Sequence, residues 1–152
     1  MIYISSSWKQ RDRVRKLASL LREAGFGVYD FTDPSCRETP EIPPEKFPEQ
    51  FDPDRHNYAE YLDKPEWRAA VEENRRAIES SEIVVLLLPC GADAHADYGY
   101  ALGLGKRAVV VGHPEKGVRC PTHLWAEKIV STIEEAVSYV SSLFAKNFSR
   151  SE

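Results

Sequence analysis

Apolar residues in this chain fall into short unbroken runs that alternate with stretches of helical periodicity. Residues 83–88 form one such run, rich in β-branched side chains and bounded by polar and turn-forming residues, which predicts a strand buried on both faces. Helical spacing follows in the small and apolar residues Ala94, Tyr98, Ala101, Leu102 and Gly105. The strand, the turn and the helix therefore form one unit at the centre of the fold.

Comparable patterns predict the remaining elements. Residues 2–4 are a short β-prone run, and they lead into a helix that Gly25 ends. Residues 26–31 predict a second strand, and Pro65 starts a helix that leads into the central strand. The rest of the chain predicts a strand at 107–111, a short strand near 128–130 and a final helix at 132–146.

Strands that alternate with helices predict an α/β fold with a parallel sheet covered on both faces. We expect a doubly wound, flavodoxin-like sheet of five strands in the order 2-1-3-4-5, in which the connections after strands one and three leave in opposite directions. The loops at residues 5–8 and 89–97 should therefore face each other across one crevice.

The segment 32–57 differs from its surroundings because prolines exclude regular elements there. We expect one α/β domain at 1–147 with a Pro-rich lid loop at about 32–57, and a polar tail at 148–152. The loop also contains the aromatic residues Phe47, Phe51, His56 and Tyr58, which favour partial order over a free linker.

Composition agrees with a single soluble domain, since 42% of the 152 residues are hydrophobic and 29% are charged. The longest apolar runs are too short to span a membrane, and the first residues lack the pattern of a secretory signal. We therefore expect a cytoplasmic protein without a membrane partner. A net charge of −4 argues against a nucleic acid polymer as a partner, because phosphate contacts need concentrated lysine and arginine.

The sequence gives no indication of a cofactor. It contains neither a dinucleotide-binding glycine pattern nor a P-loop. Asp93, His95 and Asp97 alone lack a convincing ligand spacing, so no metal site is expected. Disulfides and a zinc site are not expected either, because the three cysteines are widely separated and odd in number: Cys36, Cys90 and Cys120.

Asp97 is the strongest candidate for a chemical group. The pattern predicts it in the first helical turn, just past the carboxyl end of the central strand, where open parallel sheets usually hold ligands. Alternatively, Asp97 is an acid in the first helical turn that only interacts with the helix dipole.

Three pieces of sequence carry a family resemblance: IYISSSW, SEIVVLLLPC, and an acid followed by GYALGLGK. They resemble the nucleoside 2-deoxyribosyltransferase family and its nucleotide N-glycosidase relatives, over most of the chain outside 35–57. That family cleaves N-glycosidic bonds with a glutamate in the pattern E-x-GYA, a place that Asp97 holds here. A second family carboxylate corresponds to Asn74. The resemblance thus implies Asp97 and Asn74 as the catalytic positions, a small nucleoside or nucleotide as substrate, and a homo-oligomer, dimer or larger.

Asp97 and Asn74 both differ from the carboxylates of the family pattern, and both differences affect the expected chemistry. Cleavage of a sugar–base bond builds oxocarbenium character, which a carboxylate can stabilise or capture. Aspartate places its oxygens about 1.5 Å further back than glutamate, and a misplacement of about 1 Å can lower a rate roughly a hundredfold. Because Asn74 can act neither as an acid nor as a base, Glu73, Asp93 or solvent would have to supply the proton.

Further residues are expected to contact substrate. Tyr3 matches a family tyrosine near the active site, although a strand tyrosine more often belongs to the core. The serines at 5–7 can hold a phosphate or simply cap the first helix. Trp8 and Phe31 can stack on a base or be buried under the loop. The complete substrate-binding set is Tyr3, Ser5, Ser6, Ser7, Trp8, Phe31, Gly91, Asp93 and His95.

Two alternatives stay open. Residues 2–30 also resemble the opening of a TIR domain, whose NAD-cleaving members carry a glutamate near the position of Asp97. Because Asn74 and Asp97 replace the family acids, the chain could also be a nucleotide-binding module that does not turn its ligand over.

Overall fold

The structure is a computed structural model that describes residues 1–148, with side chains as far as residue 145. It is an α/β fold with a five-stranded, all-parallel sheet in the order 2-1-3-4-5, as predicted. Of the polar tail predicted at 148–152, residues 149–152 lie outside the described part. The strands are β1 (Ile2–Ser5), β2 (Val28–Asp30), β3 (Ile83–Leu87), β4 (Arg107–Val111) and β5 (Lys128–Val130).

Helices cover both faces of the sheet. One face carries α1 and α5, which contact each other, and the opposite face carries α3 and α4. Within residues 1–148 no helix is both long enough and apolar enough to cross a bilayer. The helices are α1 (Arg11–Glu23), α2 (Tyr58–Leu62), α3 (Pro65–Glu79), α4 (Ala92–Gly103) and α5 (Ile133–Phe148).

The centre of the core is β3, because all five of its residues are apolar and fully buried between β1 and β4. Each such aliphatic side chain contributes about 1.5–3 kcal/mol when it leaves water. In β1 the side chains alternate between the faces. Tyr3 and Ser5 contact α4 through hydrogen bonds to Asp97 and Ala94, so β1 presents its polar groups to α4.

Two local predictions differ from the structure. The second strand is shorter than 26–31, because Phe26 packs against Phe144 of α5, with ring centroids 5.1 Å apart, rather than pairing in the sheet. The prediction that Asp97 lies in the first helical turn is wrong. Since α4 begins at Ala92, after a bend at 88–89, Asp97 is in the second turn and faces the sheet instead of the helix end.

The Pro-rich loop, residues 32–57, contains two 3-10 turns, Pro34–Cys36 and Pro44–Lys46. Its aromatic side chains pack against the start of α3, with the ring centroids of Phe47 and Trp67 5.3 Å apart. At its other side Glu45 forms an ion pair with Arg11 at the start of α1. The loop therefore crosses the carboxyl edge of the sheet from α1 to α3.

Candidate functional site

Asp97 is a half-buried carboxylate held by one strong contact. Its Oδ2 accepts a hydrogen bond of 2.9 Å from the hydroxyl of Tyr3. Burial raises the pKa of Asp97 to about 6; the Tyr3 hydrogen bond opposes this rise, and the nearby charge of Asp93 adds to it. The carboxyl therefore changes its charge close to neutral pH, as groups at functional sites often do.

A pair of stacked tyrosines connects Asp97 to α3. Tyr3 and Tyr29 are partners in the register of β1 and β2, and their rings lie 5.3 Å apart at an interplanar angle of 6°. Burial, followed by the charge of Asp97, raises the pKa of Tyr3 well above its ordinary value. Tyr3 therefore stays protonated and acts as a fixed donor to Asp97.

Asn74 lies at the far end of this tyrosine pair. Its Oδ1 accepts hydrogen bonds of 2.9 Å from the Tyr29 hydroxyl and 3.1 Å from Nη1 of Arg37. The Arg37 side chain is only 2% exposed and also donates to the Tyr29 hydroxyl at 3.1 Å. Both acceptor positions of the Asn74 oxygen are therefore occupied by protein donors.

Glu73 anchors the Pro-rich loop. Its Oε2 accepts hydrogen bonds from the backbone N–H groups of Glu38, at 3.1 Å, and Thr39, at 2.9 Å. Its Oε1 lies 3.5 Å from Nε of Arg37. With these partners Glu73 is not free to replace the acid missing at Asn74. Asp93 is exposed, one turn before Asp97 on the same helix.

The three serines after β1 make mainly internal contacts. Ser5 Oγ donates to the carbonyl of Ala94 at 3.0 Å, and Ser6 Oγ donates to the carbonyl of Leu87 at 2.8 Å. Ser7 Oγ accepts a hydrogen bond from the backbone of Lys9 and caps the 3-10 turn Trp8–Gln10. Because the hydroxyl protons of Ser5 and Ser6 point to backbone carbonyls, these two groups have no proton left to donate to a phosphate.

Trp8 and Phe31 pack against each other. Their rings meet edge to face with centroids 5.3 Å apart, and Phe31 is buried. The Arg11 guanidinium covers the Trp8 ring at 5.4 Å. The geometry agrees with the burial alternative for this pair rather than with a free surface for stacking a base.

A cleft of about 420 Å³ opens at the carboxyl edge of the sheet. The predicted loops meet there, since Ser7 and Lys9 line one side and Pro89 and Gly91 another. The connection between β4 and β5 completes the wall. Among the described residues, those that line the cleft include His95 but not Asp97. Asp97 lies beside Tyr3 on the sheet face instead.

His95 has different neighbours from those expected. Its Nε2 lies 2.9 Å from Nε2 of His123, and the two rings are nearly parallel with centroids 5.1 Å apart. Cys120 joins them, and one donor atom from each of the three residues lies within 4.8 Å of the others. The local sequence around His95 offers only Asp93 and Asp97 as companions and does not indicate this cluster. The Cys-x-x-His spacing at 120–123 was the available signal.

Cys90 lies at the edge of this cluster. Its Sγ is 3.8 Å from Nδ1 of His95, and burial raises the pKa of its thiol to about 12. Burial, together with the neighbouring His95, lowers the pKa of His123. Cys90 is therefore an inert thiol, and His123 is neutral near physiological pH.

Comparison with other proteins does not assign the chain to a family. It matches no known family, and no curated protein sequence matches it. The sheet order is compatible with flavodoxin-like families, a layout that supports many unrelated activities. Function is therefore argued from the residues of the site.

Proposed function

We propose that this protein cleaves the N-glycosidic bond of a nucleoside or nucleotide, as a 2-deoxyribosyltransferase or a 5'-monophosphate N-glycosidase does, with Asp97 as its catalytic carboxylate. The observation that carries the proposal is the half-buried Asp97 carboxylate oriented by the Tyr3 hydroxyl. It lies on the helix after the central strand, where the resembled family holds its acid.

The chemistry requires an ionised and oriented carboxylate. With a pKa of about 6, Asp97 is ionised roughly ten to one at pH 7. Tyr3 binds Oδ2, while Oδ1 accepts no hydrogen bond from the described residues. A lone pair of Oδ1 attacks C1' as the C1'–N bond breaks and its electron pair leaves with the base. Water or a second base then cleaves the glycosyl–aspartyl ester.

The leaving base must gain a proton. Neither Asn74 nor Glu73 supplies it, because the first cannot ionise and the second holds the loop backbone. Asp93 or a water molecule takes this role. The Pro-rich loop, which crosses the carboxyl edge of the sheet above Tyr29, serves as the lid over the base.

One observation favours a second candidate, a nucleotide-binding module without turnover. The Asn74 and Glu73 side chains, where the resembled family needs its second acid, both take part in fixing Arg37. Such a protein would use the same surface for recognition alone.

Incubation with a panel of substrates separates these candidates. The panel contains deoxynucleosides, ribonucleosides, their 5'-monophosphates and NAD, and chromatography detects the free base. We expect release from a deoxynucleoside or its monophosphate, and a loss of about a hundredfold or more in Asp97→Ala. Asp12→Ala, which removes an exposed aspartate from α1, is the matched control and keeps full activity.

Each other outcome has a clear meaning. Release of nicotinamide alone indicates a TIR-like, NAD-cleaving activity. Binding by calorimetry without release of any base indicates the binding module. Full activity in Asp97→Ala removes Asp97 from the mechanism.

A further inference from the structure

Side chains from two separate segments converge at the cleft. His95 comes from the start of α4, whereas Cys120 and His123 come from the connection between β4 and β5. All three line the cleft, and their donor atoms lie within 4.8 Å of one another. One thiol and two imidazoles are the donor types that zinc prefers, whereas magnesium and calcium take oxygen ligands.

The hydrogen bonding of His95 fixes which of its nitrogens can bind a metal. Its Nδ1 lies 2.8 Å from the carbonyl oxygen of Gly91, and only a protonated Nδ1 can donate there. Nε2 of a neutral His95 therefore carries a lone pair, and it points at Nε2 of His123. Metal-binding histidines commonly donate their second N–H to a backbone carbonyl in this way, which sets the tautomer and the ring orientation.

We propose that Nε2 of His95, Nε2 of His123 and the thiolate of Cys120 bind one zinc ion in the cleft. In a tetrahedral site with Zn–N distances of about 2.0–2.1 Å, two ligand nitrogens lie about 3.3 Å apart. The nitrogens here are 2.9 Å apart, so the rings need to separate by about 0.4 Å and to turn until both lone pairs face the ion.

The two segments are already held together. The hydroxyl of Tyr98 in α4 donates to the carbonyl of Thr122 at 2.7 Å, and the Tyr98 ring meets His123 edge to face at 6.2 Å. Tyr98 is itself buried in the core between α4 and the sheet. The ligand positions therefore rest on a fixed support, as a metal site requires.

Three protein ligands leave the fourth position of the zinc ion to solvent in the cleft, an arrangement typical of catalytic rather than structural zinc. Cys90 does not fill this position, because it approaches Nδ1 of His95, which already donates to Gly91. Binding releases the thiol proton of Cys120, while neutral His123 keeps its proton and carries it on Nδ1 instead of Nε2. This site is distinct from Asp97 and does not depend on the glycosidase proposal.

Cobalt titration of the chain 1–152 tests the site. After treatment with a chelator, the protein is titrated with Co²⁺ as a spectroscopic probe and then with Zn²⁺. We expect one Co²⁺ per chain with tetrahedral visible bands and a thiolate charge-transfer band in the near ultraviolet, both removed by Zn²⁺. Cys120→Ser should abolish the charge-transfer band and weaken Zn²⁺ binding at least about tenfold. The matched controls Cys36→Ser and His113→Ala lie outside the cluster and should change neither signal.

A second measurement covers the case in which Cys120→Ser does not fold. In the wild-type chain Zn²⁺ should slow alkylation of Cys120 by iodoacetamide, read by peptide mass spectrometry, while Cys36 reacts at an unchanged rate. Absence of Co²⁺ binding, Co²⁺ binding without a thiolate band, or equal protection of the two cysteines would overturn the proposal. In that event His95 and His123 form only a hydrogen bond to each other.

Discussion

The hydroxyl of Tyr3 and the carboxylate of Asp97 share a hydrogen bond of 2.9 Å across 94 positions of sequence. The contact exists because β1 pairs directly with β3 and α4 packs back over β1. Among the residues whose side chains the structure describes, Tyr3 is the only one that donates to this carboxylate. Tyr3 therefore controls both the orientation of Asp97 and part of its pKa.

Removing this donor should shift the pH dependence of the reaction. The hydrogen bond from Tyr3 lowers the pKa of Asp97, so Tyr3→Phe should raise that pKa above its present value of about 6. The acid limb of the rate of base release should move to higher pH. Tyr139→Phe, which changes a tyrosine of α5, is the control. An unchanged acid limb in Tyr3→Phe would show that another group controls it.

Asp97 should also limit stability at neutral pH. The pKa of Asp97 is about 6 in the folded chain and 3.8 for the free group. Between these pH values the folded state binds more protons than the unfolded state. The contribution of Asp97 to stability is therefore lost as the pH rises through about 6. The difference corresponds to at most about 3 kcal/mol. Asp97→Asn, which stays neutral, should raise the free energy of unfolding in urea at pH 8 by about 1–3 kcal/mol and much less at pH 4. A variant less stable than wild type at pH 8 would contradict this, and Asp12→Asn serves as the exposed control.

The local pattern of apolar and polar residues was enough to predict the sheet. The apolar run at 83–88 is short, rich in β-branched residues and bounded by turn-forming residues, which favours a buried strand, and the alternation of strands and helices around it permits few topologies. The start of α4 could not be predicted in this way, because the spacing of Ala94 and Tyr98 defines a helix face but not its first residue. The difference between the expected and the observed start of α4 is small in sequence, yet it places Asp97 on the side of the helix that faces the sheet instead of at the helix end.

Contacts between distant segments account for the other differences. The resemblance implied Asn74 as a catalytic position, but its oxygen is occupied because Arg37 of the loop folds back onto it. His95 and His123 come together only because α4 and the β4–β5 connection meet at one edge of the sheet. Local spacing cannot reveal such pairs, since the folded chain and not the sequence interval sets their distance.

Arg37 should be among the most sensitive positions of the chain. Its side chain is 2% exposed and contacts Glu73, Asn74 and Tyr29. Arg37→Ala leaves the half-buried Glu73 carboxylate without its cation and should lower the free energy of unfolding by about 3–5 kcal/mol. Arg75→Ala removes an exposed arginine that pairs with Glu72 and Glu79, and should cost less than about 1 kcal/mol. Equal effects in urea denaturation would contradict the buried network.

Trp67 should hold the Pro-rich loop closed. Its ring lies 5.3 Å from Phe47 and 5.6 Å from Tyr61, with the Lys64 ammonium 4.2 Å above it. Trp67→Ala removes the surface on which these groups pack, and should lower stability by about 1–3 kcal/mol because the ring is only partly buried. Limited proteolysis with peptide mapping should then show faster cleavage within 44–57. Trp125→Ala, at a tryptophan that is 65% exposed, should leave the cleavage pattern unchanged. Faster cleavage spread over the whole chain in Trp67→Ala would instead mean global unfolding, and the loop would have no separate opening motion.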